Sequence, residues 1–210
     1  MRLLLALWLS GCATLIIAAE TVTQDVADSS AALEARLAQV RSLEGDFAQE
    51  LFGDDGKLLE QSSGRFRLLK PGFFSWHIFQ PDEQLLVAAG PSLWHYDVEL
   101  ETATRRDIPA GNPTSPLTIL GGDSAELAQH YLVQALGEQS WQLRPRSADA
   151  EYSAIAIVFD GELPARMEIE DVLQRRTVIH FSAVQADTAL QPADFDFQPP
   201  PGVDVYDNER

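Results

Sequence analysis

The groups able to do covalent or metal chemistry are few in this chain and widely spaced. Its histidines are His77, His95, His130 and His180, and its one cysteine is Cys12. No two histidines have the H-E-x-x-H spacing that sets a pair of imidazoles on one helix face to hold zinc. The sequence has no G-x-S-x-G elbow, no P-loop and no G-x-G-x-x-G turn. Asp54-Asp55-Gly56 begins like a calcium loop, but the remaining oxygen ligands do not follow. Asp54-Asp55 and Glu170-Asp171 fall at expected turns or strand ends, where charge is solvated. His77 and His95 each alternate with aromatic neighbours, the pattern of a strand-face histidine with a local hydrogen-bond partner. Nucleophile, base and orienting group nowhere assemble. Neither catalysis nor a cofactor nor a metal is expected.

Large apolar side chains recur instead. Residues 65–97 place Phe66, Phe73, Phe74, Trp76, Phe79, Trp94 and Tyr96 between three turn signals, Lys70-Pro71-Gly72, Pro81-Asp82 and Gly90-Pro91. Phe74, Trp76 and Ile78 share one strand face, and Phe73 and Phe79 the other. A sheet with one wet face has no need of aromatics on both sides. One face can pack in the body of the fold while the other lines a concavity. With Phe47, Phe181, Phe195 and Phe197, these aromatics form the candidate lining of an apolar pocket.

The elements that must position them are legible in outline. Leu33, Leu37 and Val40 recur at helical spacing, with Ser29 or Ser30 as cap and Gly45 as exit, which predicts one amphipathic helix near 30–41. Leu43, Phe47 and Leu51 then alternate on a strand, and Gly53-Asp54-Asp55-Gly56 makes a hairpin turn. Gly64 suggests a bulge or a close approach. Leu100 to Ile108 reads as a polar edge strand. Pro109, Pro113 and Pro116 interrupt the β pattern, leaving a short apolar helical turn at Pro116–Leu120 and a second short helix at Ala125–Tyr131. Strands return at Leu132–Leu136, Trp141–Pro145, Ile155–Asp160, Ala165–Glu170 and Thr177–Val184. The expected fold is α+β, a strongly curved antiparallel sheet of about ten or eleven strands with its helices gathered on one side. Short helices would form a lid over an apolar cavity, with Leu33, Leu37, Leu117, Ile119 and Leu120 facing inward and Phe47, Phe66, Phe74, Trp76 and Trp94 as the wall.

Composition bounds the setting. The chain has 210 residues and a formal net charge of −17, which disfavours nucleic acid and anionic headgroups as partners. Met1-Arg2 followed by the uncharged apolar run Leu3–Ala19 reads as a signal peptide, 1–19, ahead of a single domain, 20–210. Leu9-Ser10-Gly11-Cys12 also fits a lipidation signal. The apolar run continues past Cys12 through Leu15-Ile16-Ile17, which favours cleavage near Ala19 and a domain without thiol or disulfide.

From Ala31 to Val205 the chain resembles the periplasmic outer-membrane lipoprotein carriers of the LolA family. The matching elements are Ser42-Leu43-Glu44-Gly45-Asp46-Phe47-Ala48-Gln49, Lys70-Pro71-Gly72-Phe73-Phe74-Ser75-Trp76 and Gln80-Pro81-Asp82-Glu83-Gln84. Gly90 with Leu93-Trp94-His95-Tyr96-Asp97, Gly111-Asn112 with Ser115-Pro116, and Phe195-Asp196-Phe197 with Gly202-Val203 complete the set. The resemblance implies an α+β fold, an unclosed antiparallel β-barrel of about 11 strands with short helices as a lid, and a monomeric carrier with no cofactor, whose apolar cavity takes the acyl chains of lipoprotein cargo. It implies delivery of that cargo from the inner-membrane LolCDE transporter to the outer-membrane receptor LolB. It also marks a departure. The family has arginine before this proline, thought to latch the lid helices. Here Lys70 keeps the charge but loses the planar fork and two of five donors. A lipid-anchored or glycolipid-binding member of the same fold, and an interaction module whose aromatics are only core, are the other readings.

Overall fold

Period-two runs of apolar side chains, broken by glycine and proline turns, produce long strands that all join one sheet. The computed structural model describes residues 27–107, 118–121 and 127–208. A helix α1 (27–38) precedes six strands: β1 (Ser42–Phe52), β2 (Leu58–Leu69), β3 (Phe73–Gln80), β4 (Gln84–Ala89), β5 (Ser92–Asp97) and β6 (Thr102–Asp107). Two one-turn helices, α2 (Thr118–Gly121) and α3 (Leu127–His130), lead to β7 (Tyr131–Gly137) and β8 (Ser140–Pro145). Then come β9 (Tyr152–Asp160), β10 (Leu163–Asp171), β11 (Arg176–Ala186), a 3-10 turn at Pro192–Phe195 and β12 (Asp204–Asn208). The strand order is β12-β6-β5-β4-β3-β2-β1-β11-β10-β9-β8-β7, so the sheet is open between β12 and β7.

Four sequence expectations are corrected here. β6 is not an edge, and the sheet is not wholly antiparallel: β12 adds to β6 in parallel, with Asp204 opposite Thr102 and Asn208 opposite Arg106. The segment Asp204–Asn208 carries no apolar alternation to announce a strand. Its place is set by the tail that precedes it and by the Asp204 N–H donating to the Glu101 carbonyl (2.9 Å). The helix begins by residue 27, and Ser29 and Ser30 are buried within it rather than capping it. Gly45 lies inside β1 at a bulge. A Cβ there would sit 2.9 Å from the Ser182 carbonyl oxygen, so the glycine admits a neighbouring strand rather than ending a helix.

Both faces of the sheet are covered. On the concave side, Phe47, Phe66 and Trp76 join Leu33 and Leu37 of α1, Ile119 and Leu120 of α2, and the β7–β11 residues Val133, Leu143, Ile155, Ile157, Met167 and Ile179. On the convex side the tail returns across β3–β5. Phe195, 1 % exposed, packs with Leu69 and Val87, and its ring lies 5.7 Å from that of Phe73. Phe197 lies 5.6 Å from Trp94 and 5.6 Å from Tyr96.

Gly64 is the close-approach site its position suggests. It stands at a register shift between β2 and β3, and a Cβ there would fall 1.9 Å from the His77 carbonyl oxygen. Neither strand can yield without breaking ladder hydrogen bonds. Gly64→Ala is expected to cost about 3 kcal/mol, read as a lowered urea midpoint; a change below about 0.5 kcal/mol would show that the two strands separate freely here.

Candidate functional site

The cover of the concave face is built from α1. Its apolar stripe points inward, as helical spacing requires. Its polar side chains reach out to three separate parts of the sheet and its connections. Ser29 Oγ accepts from the Ala135 N–H at the β7 edge (3.2 Å). Glu34 Oε1 accepts from the Ala128 N–H of α3 (3.2 Å). Arg36 donates to the Gly161 carbonyl and stacks over Trp141 and Phe159, 5.3 and 5.0 Å from the ring centroids. At the helix C-terminus, Lys70 Nζ donates to the Leu37 carbonyl (2.5 Å). A cation at this end also meets the negative pole of the helix dipole. The Lys70 N–H donates to the Arg41 carbonyl (2.9 Å), and the Gly72 N–H to the Gly121 carbonyl of α2 (3.3 Å). The β2–β3 turn thus touches both α1 and α2.

Beneath this cover the interior is aromatic. Phe47 stacks on Trp76 (3.6 Å, 21°), which also lies 6.0 Å from Phe74 and 6.1 Å from Phe66. Phe181 meets Phe66 edge-on at 5.2 Å. A paired polar feature is set into this cluster at Tyr131, whose hydroxyl is 2.8 Å from that of Tyr152. Burial pushes the Tyr131 hydroxyl far above the ordinary tyrosine value, and the bond to Tyr152 adds to it. Burial raises Tyr152 as well. One of the two hydroxyl protons serves the shared bond.

Of the residues expected to line a cavity, Leu33, Leu37, Phe47, Phe66, Trp76, Ile119 and Leu120 come together in this one buried cluster, with Phe74 packed against it. Trp94 does not join them: it stands on the opposite face, against Phe197. Phe73, Tyr96, Phe195 and Phe197 go with it to that face. Leu117 lies outside the described residues. His77 and His95 have the local partners expected of strand-face histidines, Glu83 (2.9 Å) and Gln84 (3.2 Å). Sequence reasoning missed Arg36, Trp141 and the tyrosine pair. Arg36 carried a signal, since it falls on the helix flank three residues from Leu33. The tyrosines, 21 residues apart, carried none. Among the described residues no three His, Cys, Asp or Glu side chains gather to hold a metal ion, and no helix is long and apolar enough to cross a membrane.

Comparison with known proteins converges on one family. Residues 38–198 match the family model described as "Outer membrane lipoprotein carrier protein LolA". An outer-membrane lipoprotein carrier protein of Bordetella avium is 37% identical over 201 residues, covering 94% of this chain and 95% of its own length. One from Alkalilimnicola ehrlichii is 34% identical over 168 residues, covering 80% of this chain and 78% of its own. Among solved structures, a DUF1329 family protein from Desulfovibrio piger shares the fold at a TM-score of 0.50 and 15% identity, over 82% of this chain and 97% of that one.

The tyrosine pair sets two expectations. Tyr152→Phe strands the buried Tyr131 hydroxyl and costs about 1–3 kcal/mol, whereas the Phe–Phe double variant costs less than the sum of the two single ones. Because both folded-state pKa values are raised, the unfolded chain loses its tyrosine protons first. Stability holds below the ordinary tyrosine value of 10.0 and falls as pH rises above it. Urea titrations from pH 8 to pH 11 on native and double-variant protein check both. An equal alkaline loss in the two would show that the pair does not titrate with folding.

Proposed function

The chain belongs to the LolA family of outer membrane lipoprotein carrier proteins, and on that premise we propose how it works. It accepts acylated lipoproteins released from the inner membrane, holds their acyl chains under α1 and α2, and delivers them to the outer membrane. The donor is the LolCDE transporter, whose ATP drives extraction, and the acceptor is the receptor LolB. Transfer takes place in the periplasm, after removal of residues 1–19. The chain itself needs no cofactor and catalyses no covalent step. The observation that carries this reading is the aromatic interior of Phe47, Phe66, Phe74 and Trp76, covered among the described residues by short helices.

Energy decides how such an interior can release what it holds. A buried methylene is worth about 0.8 kcal/mol, so several fully buried acyl chains amount to tens of kcal/mol. Hand-over needs an opposing term. Lifting α1 separates Leu33 and Leu37 from the aromatic wall, but acyl chains can replace them, because hydrophobic contact has no preferred direction. A hydrogen bond does. The Lys70 ammonium bond to the Leu37 carbonyl is lost on opening with nothing in an acyl chain to replace it. A bond from a charged donor contributes about 1.5–3 kcal/mol, which favours the closed, empty form and helps expel cargo.

Incubation with inner-membrane vesicles, LolCDE, ATP and a labelled lipoprotein should yield a water-soluble carrier–cargo complex. No complex in the presence of an active cognate transporter would overturn the proposal. Lys70→Ala should retain acceptance yet slow hand-over to LolB by about tenfold, the equivalent of about 1.4 kcal/mol, while Lys70→Arg restores it. Hand-over unchanged in Lys70→Ala would remove the latch from the account.

A further inference from the structure

Trp141 holds a donor that the fold leaves unused. It lies in β8 on the concave face, 4 % exposed, in the same cluster as Phe47, Phe66 and Trp76. Its indole Nε1–H has no hydrogen-bond partner among the described residues. A buried tryptophan N–H usually finds one, because a donor stripped of water and left unpaired opposes folding. The surroundings explain why this one does not. Register sets Ala135 of β7 and Ile157 of β9 on either side of Trp141. Phe159 stands nearly perpendicular to the indole, 5.7 Å away at 88°, and a π face is a weaker acceptor than a carbonyl oxygen. Arg36 covers the ring, 5.3 Å from its centroid. A guanidinium carries only donors, so it cannot serve an N–H whose bond lies in the ring plane.

The setting restricts what can pair with this donor. A water held in such a place needs several polar partners, and the side chains of Ala135, Ile157 and Phe159 supply none. An acyl carbonyl needs a single donor and brings its own apolar chain. The position fits that chain. Trp141 stands next to the start of β8, and Arg36 beside it donates to the Gly161 carbonyl in the β9–β10 turn, so this corner is the rim of the sheet. Further along β8, about 7 Å from Trp141, Leu143 faces the same way between Val133 and Ile155, all three fully buried. A carbonyl at Trp141 would therefore head a chain that runs inward along an aliphatic wall. Arg36 couples the donor to the cover. It is carried on α1, so lifting the helix withdraws the guanidinium from the indole and opens this corner to a ligand.

We propose that Trp141 is a specificity-determining residue of the acyl site, its Nε1–H donating to the carbonyl oxygen, ester or amide, that heads a cargo acyl chain. The proposal rests on the lipoprotein-carrier reading and deepens it. Aromatic and aliphatic contact has no preferred direction and does not tell an acyl chain from an alkyl chain. A buried donor does, because a ligand without the carbonyl leaves it unpaired.

Three peptides of one sequence test it, each with a glyceryl group on an N-terminal cysteine: a dipalmitoyl ester, a dihexadecyl ether, and that ether with an N-palmitoyl amide. Each should displace a fluorescent acyl probe from the full-length mature protein. Trp141→Phe, which keeps an aromatic ring but not the N–H, should lower affinity for the ester about tenfold more than for the plain ether. The Trp141 indole proton resonance, identified by its absence from the spectrum of Trp141→Phe, should move downfield on binding the ester and not the plain ether. The same selective loss for the N-palmitoyl ether instead of the ester would support the donor and name the amide carbonyl as its partner. Equal losses for all three ligands, as a purely structural role would give, would overturn the donor and leave the carrier reading standing. Failure of all three to displace the probe from the native protein would overturn both.

Discussion

The structure depends on the difference between contacts that a lipid can replace and contacts that it cannot. An open sheet of twelve strands has a concave apolar face. When the protein is empty, water must be kept from it by the protein's own side chains. Leu33 and Leu37 of α1 and Ile119 and Leu120 of α2 do this, and an acyl chain could do it equally well. The polar contacts of Ser29, Glu34, Arg36 and Lys70 depend on fixed donors and acceptors. In the proposed cycle these contacts favour the closed form and oppose retention of cargo.

The two faces divide permanence from exchange. The convex face is closed by the chain's own tail, with Phe195 buried against Leu69 and Val87, and Arg67 lying 5.8 Å from the Phe195 ring. That segment continues into β12 and is locked to β6 by a parallel ladder. The concave face is closed by short helices that could not persist alone in water. A helix whose stability comes from packing rather than from its own length can be displaced without unfolding the sheet.

The sequence made some of this plain and hid the rest for physical reasons. Alternation shows that Phe74, Trp76 and Ile78 point one way and Phe73 the other, because a strand leaves no choice. It cannot tell which way is inward when both faces are apolar. Trp94 therefore reads as cavity wall, although register puts it opposite Val87 on the tail-covered face. β12 was missed because a polar segment held by parallel pairing leaves no period-two signature. Gly45 looks like a helix exit because a glycine that admits a strand and one that ends a helix are the same letter. The tyrosine pair depends on β7 and β9 starting at the same end on either side of β8, which only the folded sheet supplies. Lys70 stood out by its departure from the family's arginine, and its contact with the C-terminus of α1 then follows from the position of the β2–β3 turn.

The central claim is that one interior serves as core when empty and as acyl site when loaded, with α1 giving way. Spin labels at exposed Ala35 on α1 and exposed Pro91 in the β4–β5 turn would report the separation of helix and sheet by pulsed electron resonance. The account predicts a single short distance in the empty protein and a shift to a longer, broader distribution on loading with acylated cargo. The same distribution before and after loading, with cargo demonstrably bound, would contradict it.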